Sequence, residues 1–165
     1  MVDDHLEAGY LLSRLLRRGG YEVAELHDLD AVVETLTELD GSVAAIVATF
    51  THAGTAASLH LLDALRNHVD PRLSSPRILL TADESRQQIF CLQAGADAVL
   101  LRPFTDVELT EAVDRMMARP ERDRAAYRRI VIQRIKSENS SPLGEPVPWE
   151  PDDTLETPTG TSSYF

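Results

Sequence analysis

The sequence lacks the marks of a secreted, metal-built or membrane-spanning protein. Its 165 residues contain one cysteine, Cys91, which excludes a disulfide framework and any cysteine-based metal set. No A-x-A signal segment is present. No apolar run approaches the roughly 20 residues that a membrane helix needs; the longest are short pieces such as VAAIVATF. These absences predict a soluble, cytoplasmic chain without a transmembrane segment. Two local absences matter more. No acid occurs between Asp40 and Asp63, and no base occurs after Lys136.

What is present is acidic, and unevenly so. The net charge of −11 resolves into −10 over residues 1–118, +5 over residues 119–136 and −6 over residues 137–165. An acidic domain repels nucleic acid over most of its surface, so a phosphate backbone could meet only the middle block. Nucleic acid is therefore a disfavoured partner. Hydrophobic residues make up 43% of the chain, enough to fill one core, so one globular domain with extensions is expected.

The apolar spacing sets out the elements. Leu6, Tyr10, Leu11, Leu15 and Leu16 fall on one helical face, which Gly19 and Gly20 end. Residues 21–26 alternate as a strand. DLDAVVETLTELDG reads as a helix with an Asp cap, closed by Gly41 and followed by the strand SVAAIVATF. A third helix, AASLHLLDALRNHVD, the turn PRLSSP and the strand RILLT come next. DESRQQIFCLQAG is helical, ADAVLL is a strand, and TDVELTEAVDRMMA is a helix capped by Thr105. Four near-continuous apolar strands alternating with five helices predict an α/β domain, a doubly wound parallel sheet covered on both faces.

Ligands in such folds sit in the crevice beyond the carboxyl ends of the strands. That selects Thr49, Phe50, Thr81, Ala82, Arg102 and Pro103, with Asp3 and Asp4 if a strand precedes them. On VDDH near the start, ILLTA in the middle and GADAVLLRPFTDVEL near the end, residues 1–118 resemble the receiver domain of bacterial response regulators. The resemblance implies a flavodoxin-like receiver fold acting in two-component or phosphorelay signalling. In that family an acidic pair after the first strand holds Mg²⁺, the third strand ends in the phosphorylated Asp, the fourth in Ser or Thr, and the fifth in Lys-Pro. Carried over, the acidic pair is Asp3 and Asp4, the switch hydroxyl is Thr81, and Arg102 stands in the lysine position. The Arg102–Pro103 bond is expected to be a tight cis turn.

The departures form a set. The phosphoacceptor position falls on Phe50, or on Thr49 with a one-residue gap, and neither is a carboxylate. An acyl phosphate needs a carboxylate nucleophile, and Mg²⁺ needs several hard oxygen ligands, so the substitution removes the reaction and a metal ligand together. Arg102 replaces a compact ammonium by a planar fork suited to a bidentate partner such as Asp3 or Asp4. Val99 holds the place of the family's switch aromatic. A degenerate, pseudo-receiver type follows, with no cofactor beyond weak, vestigial Mg²⁺ at Asp3 and Asp4. The first strand is truncated to Met1 and Val2, which suggests a native start upstream.

The plainer reading of each residue stands beside the functional one. Asp3 and Asp4 fit an exposed acidic terminus, Arg102 a structural ion pair, and Thr81 a strand-end hydroxyl bonded to backbone. Cys91, near Ile89 and Leu92, reads as core packing. His27, His52, His60 and His68 share no ligand spacing with other donors; His52 alone lies near the crevice.

Residues 119–137 form a basic amphipathic segment in which Tyr127, Val131 and Ile135 make one stripe of the helix 121–136. It either docks on its own acidic domain or serves as a partner-binding or dimerising helix. Residues 138–165, rich in Pro, Ser, Thr and acids, read as a disordered tail in which PVPWEP and SSYF are candidate docking peptides.

The function expected is a non-enzymatic, phosphorylation-independent protein-interaction module. Its candidate partners are a histidine kinase, an output protein or a second copy in a homodimer, met through residues 86–118, the helix 121–136 or both. Three alternatives come from other classes. DDHLEAG also resembles the cobalamin-binding module with His5 as cobalt ligand, although Ala8 stands at its glycine position and LLTADES lacks its paired glycines. The basic helix could contact DNA or an anionic membrane. Self-phosphorylation through Thr49 is the third, with no residue in its favour.

Overall fold

The computed structural model describes residues 1, 6–27, 31–39, 43–50 and 55–139. Asp3, Asp4, His5, Gly41, His52 and the tail beyond Asn139 lie outside them. Among the described residues, three parallel strands form the sheet in the order β1 (Ala45–Thr49), β2 (Arg77–Ala82), β3 (Ala98–Leu101). Thr49 stands opposite Thr81, and Thr81 opposite Leu100.

Strand alternation splits the core in two. Ile46, Ala48 and Phe50 of the first strand segment, with Ile78, Leu80 and Ala82 of β2, point to one face. There they meet α2 (Val32–Glu38), α3 (Thr55–Arg66), the short α4 (Pro71–Ser74) and α5 (Ser85–Gln93). Val47 and Leu79 point to the other face and pack on α1 (Leu6–Arg18) and α6 (Asp106–Ala118). Successive residues thus serve opposite faces, as a period of two requires. With both faces covered, this is the doubly wound α/β sheet the apolar runs predict.

Caps fix the elements near the site. Thr105 Oγ1 accepts from the Glu108 N–H at 3.2 Å while Glu108 accepts from the Thr105 N–H at 2.8 Å, a reciprocal box that starts α6 immediately after the Arg102–Pro103 turn. Gly95 ends α5 with φ of +108°, and a Cβ there would stand 2.9 Å from Arg66 Cγ. Glycine therefore permits both the turn and the close approach of that arginine.

Three expectations change. Residues 21–25 are not in a strand; Leu26 alone bridges, its N–H donating to the Met1 carbonyl at 2.8 Å, while the Met1 ammonium donates to the Ala24 carbonyl at 2.8 Å. PRLSSP is not a simple turn but contains α4, since the Asp70 side chain accepts from the Arg72 N–H and Pro71 supplies a preset first helical position. The basic helix, α7 (Glu121–Asn139), runs three residues past Lys136. No helix among the described residues is long and apolar enough to cross a membrane.

Candidate functional site

The carboxyl ends of the strands carry the residues selected by topology. Thr81 is fully buried, and its Oγ1 lies 3.5 Å from Thr49 Oγ1, at the outer limit of hydrogen bonding. The Phe50 N–H extends the ladder to the Thr81 carbonyl at 2.7 Å, and the Phe50 side chain is only 2% exposed. Across β2, the Arg102 N–H donates to the Ala82 carbonyl at 2.8 Å, and the Arg102–Pro103 peptide is cis.

The Arg102 side chain turns back over this end of the sheet. Its Nη2 donates to the Phe50 carbonyl at 3.3 Å, and its Nε lies 2.9 Å from Asp83 Oδ1. The Nε approach is off the N–H direction, so it is an ion pair without an aligned hydrogen bond. Together these contacts tie the ends of β1, β2 and β3. Asp83, Arg102, Pro103 and Phe104 line an open cleft of about 460 Å³ here. Asp83 is the one carboxylate among its described lining residues, and it already faces a guanidinium. Phe50 offers no side-chain oxygen and its carbonyl accepts from Arg102, so the described donors do not compose the octahedral oxygen set that Mg²⁺ requires.

A denser charge cluster lies at the opposite end of the sheet, just before β3. Asp97 is 1% exposed and accepts from Arg66 Nη2 at 2.7 Å, Arg124 Nη2 at 2.6 Å, Arg128 Nη1 at 3.0 Å and the Ile78 N–H at 2.9 Å. The arginines use their remaining donors on backbone. Arg66 reaches the Ser74, Pro76 and Gly95 carbonyls, and Arg124 reaches Ser75. Burial alone would raise the Asp97 carboxyl, but the Arg124 hydrogen bond, the Arg66 charge and the Ile78 N–H outweigh it and hold the group below its ordinary value. Burial, the largest influence, brings Arg66 down to about 10; Arg124 and Arg128 push the same way and Asp97 opposes them. One carboxylate shared by three cations cannot compensate each in full.

This cluster fixes α7. Arg124 and Arg128 anchor it to Asp97, Ile135 is buried, and the helix packs against α5. Near its start the Arg119 guanidinium lies 3.3 Å from the centroid of the Tyr127 ring. A groove of about 130 Å³ between α5, β3, α6 and α7 is lined by Leu92, Val99, Ala112, Tyr127 and Val131 among others. The predicted stripe of Tyr127, Val131 and Ile135 thus faces its own domain or the rim of this groove.

Comparison of the fold with solved structures decides its kind. A response regulator from Chloroflexus aurantiacus is 25% identical and superposes with a TM-score of 0.62, covering 72% of this chain and 94% of that one. The fold is that of a response regulator receiver domain. A response regulator receiver protein from Burkholderia phymatum, 20% identical, gives 0.59 with 72% and 93% covered, and the chemotaxis response regulator CheY4 of Vibrio cholerae, also 20% identical, gives 0.55 with 70% and 93%. No family model and no curated protein matches the chain.

Within the receiver fold the expected switch positions are gathered at one end: Thr81 buried, Arg102 over the crevice, Pro103 at its rim, and Thr49 and Phe50 beneath. Val99 is apart, half-buried and lining the lateral groove. The expected partner of Arg102 was Asp3 or Asp4, both outside the described residues; the partner observed is Asp83. That residue directly follows β2, so the crevice rule applied one residue further would have found it. Asp97 had no such signal, since its three cations come from 27 to 31 residues away in sequence. Cys91 is fully buried, and burial pushes its thiol up to about 12, which suits packing. His60 is exposed, and His68 Nδ1 accepts from the Asp70 N–H at 3.0 Å. His5, which the cobalamin reading requires, and His52 lie outside the described residues.

Proposed function

We propose that this chain is a receiver-type interaction module of two-component signalling that works without aspartyl phosphorylation. The observation that carries the reading is the end of β1. Both residues that can hold the acceptor position, Thr49 and Phe50, lack a carboxylate, and Phe50 is packed into the core beneath Arg102. Arg102 is engaged by Asp83 and the Phe50 carbonyl, which gives it a structural task in place of sensing a phosphoryl group. On this reading the module is non-enzymatic and cytoplasmic, binds no Mg²⁺ of consequence, and transmits by contact.

The surface we assign to a histidine kinase or an output protein comprises α5, β3 and α6, extended by α7. The packing of α7 on α5 makes that helix part of any surface presented on this side. The test is incubation of the full chain with a small acyl-phosphate donor and Mg²⁺, read by intact mass. An unchanged mass is expected. A stoichiometric phosphoryl adduct that is lost in base would overturn the reading and place a working acceptor in the chain.

A further inference from the structure

The solvent side of α7 carries a mixed apolar and basic patch. Tyr127, Ile130 and Arg134 follow one another at helical spacing, and Arg129 projects from the adjoining face, about 100° round the helix from Ile130; Ile130 is 57% exposed and Tyr127, at the groove rim against Arg119, 37%. Arg129 and Arg134 are exposed, and among the described residues neither guanidinium has an ion-pair partner. The contrast within the helix is clear, because Arg124 and Arg128 on the inner side are committed to Asp97. Net charge is +5 over residues 119–136 and −6 over the 29 residues that follow, which hold no base.

Those following residues contain a segment of matching chemistry. VPWEPDD, residues 147–153, places the chain's single tryptophan, Trp149, beside Glu150, Asp152 and Asp153. The reach is ample. Trp149 lies ten residues beyond Asn139, about 33 Å of extended chain at 3.3 Å per residue. Running back along the helix from Asn139 to Ile130 takes about 14 Å at 1.5 Å per residue.

We propose that residues 147–153 dock across the solvent side of α7 in their own chain, with Trp149 against Ile130 and the carboxylates of Glu150, Asp152 and Asp153 reaching Arg134 on one flank of Ile130 and Arg129 on the other. An aromatic body supplies apolar contact and the flanking acids supply complementary charge, so the segment needs no fold of its own. The docked segment masks α7 from any partner that would use the same patch. The proposal goes beyond the phosphorylation-independent reading and does not rest on it.

Trp149 reports the segment directly, since no other tryptophan contributes to the fluorescence. The experiment is acrylamide quenching of the full chain at low salt, compared with a free peptide of residues 145–155. Trp149 is expected to be shielded relative to the peptide, and the shielding to be lost in 1 M salt, where the Debye length falls to about 3 Å. Arg129→Glu combined with Arg134→Glu is expected to abolish it; both side chains are exposed, and circular dichroism verifies that the helix persists. Glu150→Gln with Asp152→Asn and Asp153→Asn, which leaves α7 untouched, is expected to do the same. Quenching equal to that of the peptide, shielding unchanged in both variants, or shielding that grows with protein concentration and so comes from a second copy would each overturn the proposal.

Discussion

The two ends of the sheet handle charge in opposite ways. At the carboxyl end one guanidinium, Arg102, meets one carboxylate, Asp83, with side-chain exposures of 29% and 53%. At the amino end three guanidiniums converge on Asp97, which is 1% exposed, while Arg77 donates to the Met116 and Arg119 carbonyls nearby. The first arrangement is partly exposed; the second is desolvated and holds α3, the start of β2, β3 and α7 together. Among the described residues, the carboxyl end of the sheet holds one partly exposed ion pair. The stronger electrostatic structure lies at the amino end, around Asp97.

That contrast can be broken most sharply at Asp97. Asp97→Ala leaves three arginines facing one another without an anion and is expected to cost about 3–5 kcal/mol, the range for breaking a buried charge pair. Urea unfolding of the full chain measures this, and a loss below about 1 kcal/mol, the exposed-pair range, would mean the two ends do not differ in the way described. Acid titration of the unaltered protein sharpens the same point more gently. Because the folded Asp97 carboxyl lies below its ordinary value of 3.8, its contribution is fully present above that value and is lost as pH falls through the lower folded value. The stability attributable to Asp97, taken as the difference between the unaltered chain and Asp97→Ala, should therefore be level from neutral pH to about 4 and shrink below it. A difference already shrinking at pH 6 would contradict this. The smallest effect is expected at the other end: Arg102→Ala should change stability by less than about 1 kcal/mol, since a half-exposed ion pair contributes little. A melting temperature that falls as far as that of Asp97→Ala would make Arg102 an equal anchor.

Legibility in the sequence follows the same division. The helices of residues 6–18 and 106–118 could be read because apolar spacing and the Gly19–Gly20 stop or the Thr105–Glu108 box lie within a few residues of one another. The crevice residues could be read because strand ends are local features and the topology rule says where they gather. The strand expected at residues 21–26 is a single bridge at Leu26, because a ladder is made by pairing and the alternation of one segment does not specify pairing. The single turn of helix at Pro71–Ser74 was hidden in a stretch whose Pro and Ser content reads equally as a turn, although Asp70-Pro71 carried the capping signal.

By itself the sequence determined the alternation of most strands and helices, the period of two that divides the core between the sheet's faces, and the lack of any acid where β1 ends. These are local properties, set by residues near one another in the chain. Only the tertiary structure decided that Asp97 holds Arg66, Arg124 and Arg128, that Asp83 holds Arg102, and that α7 lies on α5. Those pairings join residues up to 31 positions apart. Parallel crossovers bring such residues to one end of the sheet at distances that periodicity and composition do not encode.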